Sequence, residues 1–197
     1  MFIAIPEDSA DTARIYQESA KSQGFVMNLT RAWAWRPEVF DGFAALRSQL
    51  TDNSSLSKRE LAVMVCAAAS ELGDSYCSLA WGKMLAAAAG APVAAAVIRS
   101  SNEGMTAREQ ALATWARKVV ADPNATSTQD VLALGAAGLS EREIFEATVF
   151  IAFRLAFSTV NDALGVAPDR ELADSVPKEV RAVVTYGRPA AVKPGAN

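Results

Sequence analysis

The run LAVMVCAAA at residues 61–69 places nine apolar side chains in succession between a helix-start signal and a glycine. Ser57-Lys58-Arg59-Glu60 ahead of it is a capping box: the serine oxygen accepts a backbone N–H and the glutamate reaches back to the cap. A helix that is apolar nearly all round must be buried all round, so the rest of the chain has to surround it. The turn falls at Leu72-Gly73, and Asp74 is a good N-cap for a second helix through Trp81 and alanines 86–89 to Gly90. Cys77 falls in the first turn of that helix. Free N–H groups and the positive end of the helix dipole favour a thiolate there, and the negative charge of Asp74 opposes it.

The flanking chain reads as further helices. Residues 1–7 form an extended lead-in. A helix follows over 8–21, with Ala13, Ile15, Tyr16 and Ala20 as its apolar stripe and Gly24 as its stop. A second is expected over 25–35, ending before Pro37 because a residue preceding proline is pushed out of the α region. Pro37 suits the first turn of a third, whose face is Val39, Phe40, Phe43, Ala44, Leu46 and Leu50, with a polar loop at 51–55. Beyond Gly90 a short helix is expected at 92–98. Thr106 to Glu109 is a second capping box, opening a helix to about Ala121 that Asp122-Pro123-Asn124 breaks. A short helix at 128–137 precedes a third box, Ser140 to Glu143, and the longest helix, 141–164, stopped by Gly165. Residues 176–185 suit a short helix or strand, and 187–197 read as a mobile tail. Period-two alternation appears nowhere else, so the expectation is a single all-α domain over 1–197.

Composition removes whole classes of function. The chain has 197 residues, two cysteines and no histidine. A serine–histidine–aspartate triad and cysteine–histidine catalysis within one chain are excluded, and no metal site, cofactor or nucleotide fingerprint is expected. A net charge of −3 argues against nucleic acid and anionic membranes as partners. The opening residues lack a basic region before a long apolar run, and the apolar stretch 149–157 contains Arg154 and is too short to span a bilayer, so a cytoplasmic protein is the default. Cys66 and Cys77 are offset along helices whose axes stand about 8–10 Å apart, which disfavours a disulfide.

Several stretches together resemble the alkylhydroperoxidase D-like, or carboxymuconolactone decarboxylase, family, and within it the peroxidase-related branch. They are Met27-Asn28-Leu29 through Arg36-Pro37-Glu38-Val39, Leu56 through Leu61, Tyr76-Cys77 with Gly82, and Asp162 through Val166, within a likeness covering roughly residues 5–170. The resemblance implies an all-helical bundle that assembles into homo-oligomers. Active members are thiol peroxidases with a Cys-x-x-Cys-x-x-x-His motif and a relay glutamate on the preceding helix. The second cysteine attacks the peroxide and the first resolves it. Carried over, Cys77 falls on the attacking cysteine, while Asp74 stands at the resolving position and Trp81 at the histidine. The relay glutamate falls on Ala62; Glu60 lies two residues earlier, about 200° away round the helix. The two-cysteine cycle cannot run within this motif.

The candidate catalytic residues are therefore Cys77, Asp74 and Glu60, and the candidate substrate-binding residues Trp81, Met84 and Arg154. Cys77 has an alternative reading as core packing, Asp74 as a plain N-cap, Glu60 as a capping-box glutamate and Trp81 as a core residue rather than the wall of a pocket lined by Cys77, Asp74 and Met84. Trp33, Trp35 and Trp115 are expected in the core. Arg154 interrupts an apolar face and should pair with a carboxylate, with Asp162, Glu146 and Asp74 as options, or lie at a subunit interface. The stripe Phe145, Val149, Ala152, Ala156 is core or interface. Three functions fit: a one-cysteine thiol-dependent peroxidase served by an external thiol reductant, a decarboxylase-like enzyme for a small organic acid, or a non-catalytic oligomer.

Overall fold

A computed structural model describes residues 1–191, and among them there are eleven α-helices and no strand. They are α1 (Ala10–Gln23), α2 (Asn28–Trp33), α3 (Pro37–Asp52), α4 (Lys58–Leu72), α5 (Ser75–Ala89), α6 (Ala91–Ile98), α7 (Ala107–Ala121), α8 (Thr128–Ala136), α9 (Glu141–Ala163), α10 (Arg170–Ser175) and α11 (Lys178–Val183).

The central rod is α4. Every residue from 61 to 69 is buried, and α5, α6, α7 and α9 pack around it. The three expected capping boxes all form, at Ser57/Glu60, Thr106/Glu109 and Ser140/Glu143. The helices they start meet at one end of the molecule. There Arg108 bonds both Glu60 and Glu143, and Arg59 bonds Glu109. The opposite end of α4 closes at Gly73, whose left-handed φ of 78° lets the chain reverse into α5.

Several expectations need correction. The second helix is one and a half turns rather than three. Its first N–H, on Asn28, is bonded by the carboxylate of Asp169 at 2.7 Å, which fixes its start from far along the chain. Trp35 is not core: it is 52% exposed, and its indole N–H reaches the Ala4 carbonyl at 3.0 Å. Trp33 and Trp115 are buried, Trp33 stacking on Phe157 with centroids 5.0 Å apart. α3 lies outside the core with none of its residues fully buried. α10 was not expected, and 176–185 resolves as the helix α11. Gly82 on α5 lets α11 sit close, since a Cβ there would come 2.6 Å from Val180. Of the expected mobile tail, residues 192–197 lie outside the described residues; 187–191 pack against the body through bonds to Ser75 and Pro168. No helix among the described residues is long and apolar enough to cross a membrane.

Candidate functional site

Asp74 begins α5 as expected: its Oδ1 accepts the Cys77 N–H at 2.9 Å. This bond aims the first turn of α5 at the middle of α9. From α9, Arg154 donates an Nη2–H to the Cys77 sulfur at 3.2 Å, and Ser158, one turn later on the same face, donates its hydroxyl at 3.3 Å. The thiol thus stands at a helix N-terminus with a cation and a hydroxyl on one side and a carboxylate on the other. Both ends of this arrangement are shut in, with Asp74 at 0% and Cys77 at 4% exposure.

Among the described residues Arg154 has no carboxylate partner, contrary to the expected ion pair. Its guanidinium lies instead over Trp81, 5.3 Å from the ring centroid, and Phe157, at 5.0 Å. Such aromatic faces offset part of the cost of burying a cation. Its Nε and the Oδ2 of Asp74 are buried without a hydrogen-bonding partner among the described residues. A buried donor and a buried acceptor left over beside the same thiol are the costly kind of polar group, and they favour a polar ligand.

Burial and the charge of Asp74 push the Cys77 thiol up to about 12, against the opposing pull of Arg154 and Ser158. The thiol is therefore protonated at neutral pH. Nearby, Asp162 near the end of α9 is pushed up to about 7 by burial and by the charge of Asp74, with Arg188 pulling the other way. Tyr76, beside Cys77, is buried and bonds Asp169, which ties α5 to α2.

The sequence-derived residues divide. Cys77, Asp74, Arg154 and Trp81 come together. Glu60 is engaged elsewhere, by the Ser57 N–H at 2.7 Å and by Arg108. Met84 points outward at 53% exposure, two turns beyond Cys77. Ser158 was missed; its place one turn after Arg154 on a single helix face is the signal that could have found it. Cys66 is buried and not disulfide-bonded. Among the described residues no three histidine, cysteine, aspartate or glutamate side chains gather as a metal-binding group.

No family model and no curated protein matches the sequence. Solved structures do match. One is an uncharacterized peroxidase-related protein from Ralstonia eutropha JMP134, described as an alkylhydroperoxidase AhpD core: TM-score 0.77, 24% identity, 87% of this chain and 93% of that one. An uncharacterized peroxidase-related protein from Silicibacter sp. TM1040 aligns with a TM-score of 0.76 at 20% identity, over 86% of this chain and 92% of that one. A cysteine-to-alanine variant of the debrominase Bmp8, in complex with 2,3,4-tribromopyrrole, gives 0.72 at 13% identity, over 88% and 95%. At these identities the likeness concerns architecture, and the architecture of this chain is the all-helical fold of the alkylhydroperoxidase AhpD-like proteins.

Proposed function

We propose that the protein is a thiol-dependent, peroxidase-like reductase that works with one cysteine and an external thiol. The observation that carries this reading is the convergence of the Arg154 N–H and the Ser158 hydroxyl on the Cys77 sulfur. Donors placed there stabilise a thiolate and then the oxygen that leaves when a peroxide is cleaved. In the step, the Cys77 thiolate attacks the terminal oxygen of a hydroperoxide. An S–O bond forms and the O–O bond breaks. The thiol proton having gone to solvent, the alkoxide takes one up from solvent in return and leaves as an alcohol, and Cys77 becomes a sulfenic acid. One external thiol displaces water to form a mixed disulfide, and a second releases Cys77 and a small disulfide. The cytoplasm, which keeps thiols reduced, suits such a cycle. Organic hydroperoxide added to the protein at pH 9, followed by intact mass, tests the reading. Addition of one oxygen at Cys77, absent in Cys77→Ser, is expected. No addition in the wild type would end it.

A second reading has its own observation. Arg154 is a buried cation that has, among the described residues, no carboxylate partner and a free Nε–H, which suits the anion of a small organic acid, in line with decarboxylase-like chemistry. Thermal-shift measurements with small carboxylates probe it, and 2,3,4-tribromopyrrole belongs in the same set because a structural neighbour binds it. No shift with any of them would remove this reading. We also propose that the protein forms homo-oligomers through the outer face of α9. Phe145 there is 69% exposed, and Ala152, Ala156 and Val160 are exposed on the same helix.

A further inference from the structure

After α11 the chain turns back across the end of the molecule that holds the candidate site. Tyr186 and Ser78 share a hydrogen bond between their hydroxyls at 2.8 Å. Gly187 follows at φ 68°, so close to the α4–α5 turn that a Cβ would lie 2.5 Å from the Gly73 carbonyl oxygen and 2.8 Å from Ser75 Oγ. The Ser75 hydroxyl donates to the Arg188 carbonyl at 2.7 Å, and Arg188 donates to the carbonyl of Asp162 at 3.1 Å. The Arg188 guanidinium covers the ring of Phe2, whose own N–H bonds the Leu164 carbonyl. Ala191 donates to the Pro168 carbonyl at 2.8 Å. The contacts to Ser75, Ser78 and Asp162 fall on the first turn of α5 and the last turn of α9, the two helices that supply Asp74, Cys77 and Ser158.

We propose that residues 184–191 are a strap that closes the Asp74–Cys77 site, and that molecules larger than water reach Cys77 only when it lifts. The inference concerns access to the site of the proposed reductase and rests on that reading for its purpose, not for its geometry. Something has to move, because both Asp74 and Cys77 are enclosed. The other walls are poor candidates. α4 and α5 are core helices, and α9 is a 23-residue helix tied in by Trp33–Asn161 and the aromatic stack. The strap has no regular structure, is partly exposed along its length, and is held by a handful of hydrogen bonds, the signature of a segment that opens locally.

Two variants test this without any assay of peroxide chemistry. Gly187→Ala puts a methyl group against the Gly73 carbonyl and should unseat the strap. Tyr186→Phe removes only the bond to Ser78. The readouts are hydrogen exchange of the 184–191 amides and alkylation of Cys77 by iodoacetamide at pH 8, with hydrogen exchange of the buried α4 amides as the control for global unfolding. In Gly187→Ala, both strap exchange and Cys77 alkylation should rise about tenfold or more, with α4 exchange as slow as in the wild type. Tyr186→Phe should give a smaller rise in the same direction. The proposal is overturned if strap exchange rises while Cys77 alkylation does not. It is also overturned if α4 exchange speeds up in parallel, or if neither variant loosens the strap. Faster alkylation in Trp81→Ala with strap exchange unchanged would place the entrance on the other side of α5 and overturn it as well.

Discussion

Cys77 holds its sulfur between opposite charges, and the balance is unfavourable to the thiolate. Burial and Asp74 push the thiol up to about 12, so at any pH below that the reactive form is the minor one. The rate of Cys77 modification should climb about tenfold per pH unit from 7 towards 11; a plateau below pH 9, measured by alkylation kinetics, would contradict that. Arg154 is the main group working the other way. Arg154→Met should push the thiol higher still and slow the reaction at pH 9 by about tenfold or more, which stopped-flow or mass kinetics would read directly. How legible these residues were follows from how local their contacts are. Asp74 and Cys77 are three residues apart in one helix turn, so the cap between them could be read from the sequence. The partners of Arg154 could not, because Cys77 lies 77 positions away and the two meet only when α5 packs on α9. Met84 was misread for a related reason: helical spacing gives the face but not how far the neighbouring helix reaches along it.

At the scale of elements, the capping boxes are the most informative feature. Each combines a cap with an N3 glutamate, and the positive ends of α4, α7 and α9 meet with those three glutamates between them. Arg108 bridges two of the carboxylates, which are mostly buried at 12% and 15% side-chain exposure. Arg108→Ala leaves both glutamates their cap bonds but not their cation. A loss of about 1–3 kcal/mol is expected, visible as a lowered midpoint in a thermal or urea melt. The strap gives a second element-scale prediction, in which Asp162 faces Asp74 at the α5 N-cap and Arg188 in the strap. Closed, its carboxyl is held up at about 7, with burial the largest cause; solvent admitted as the strap lifts removes that cause and lets it fall towards the ordinary carboxylate range. The closed form therefore prefers the protonated acid. Strap opening should increase as pH rises from about 4 to 7 and level off above that. Hydrogen exchange, corrected for its intrinsic pH dependence, checks this, and Asp162→Asn should abolish the trend. The boxes were legible because they span four residues. The shortness of α2 and the existence of α10 were not, because Asp169 sets the first from 141 positions away and packing stabilises a six-residue helix that local preference would not.

Over the whole molecule, one helix is sealed and one is left partly open. The stripe Phe145, Val149, Ala152, Ala156, expected as core or interface, is not core: all but Val149 are exposed and Val149 is half-buried. If that face joins subunits, as proposed, Phe145→Glu should leave the monomer folded by circular dichroism and shift the protein to smaller species in sedimentation velocity. An unchanged sedimentation coefficient would show that this face does not join subunits. The all-α class was legible from helical periodicity along the chain and the central place of α4 from a single apolar run, whereas the course of the chain after Pro168 was not, since it follows surfaces that other segments create.

The sealed helix also bears on how the protein is made. The 61–69 stretch of α4 has no side that water can wet, yet its walls α7 and α9 leave the ribosome well after it does. About eighty residues separate the Ser57 and Ser140 caps, which at about 5–20 residues per second is several seconds of synthesis. Through that interval the nascent chain carries a bare apolar rod that α5, α6 and then α7 cover only one after another. This makes the half-built polypeptide, rather than the finished one, the form most in need of a chaperone.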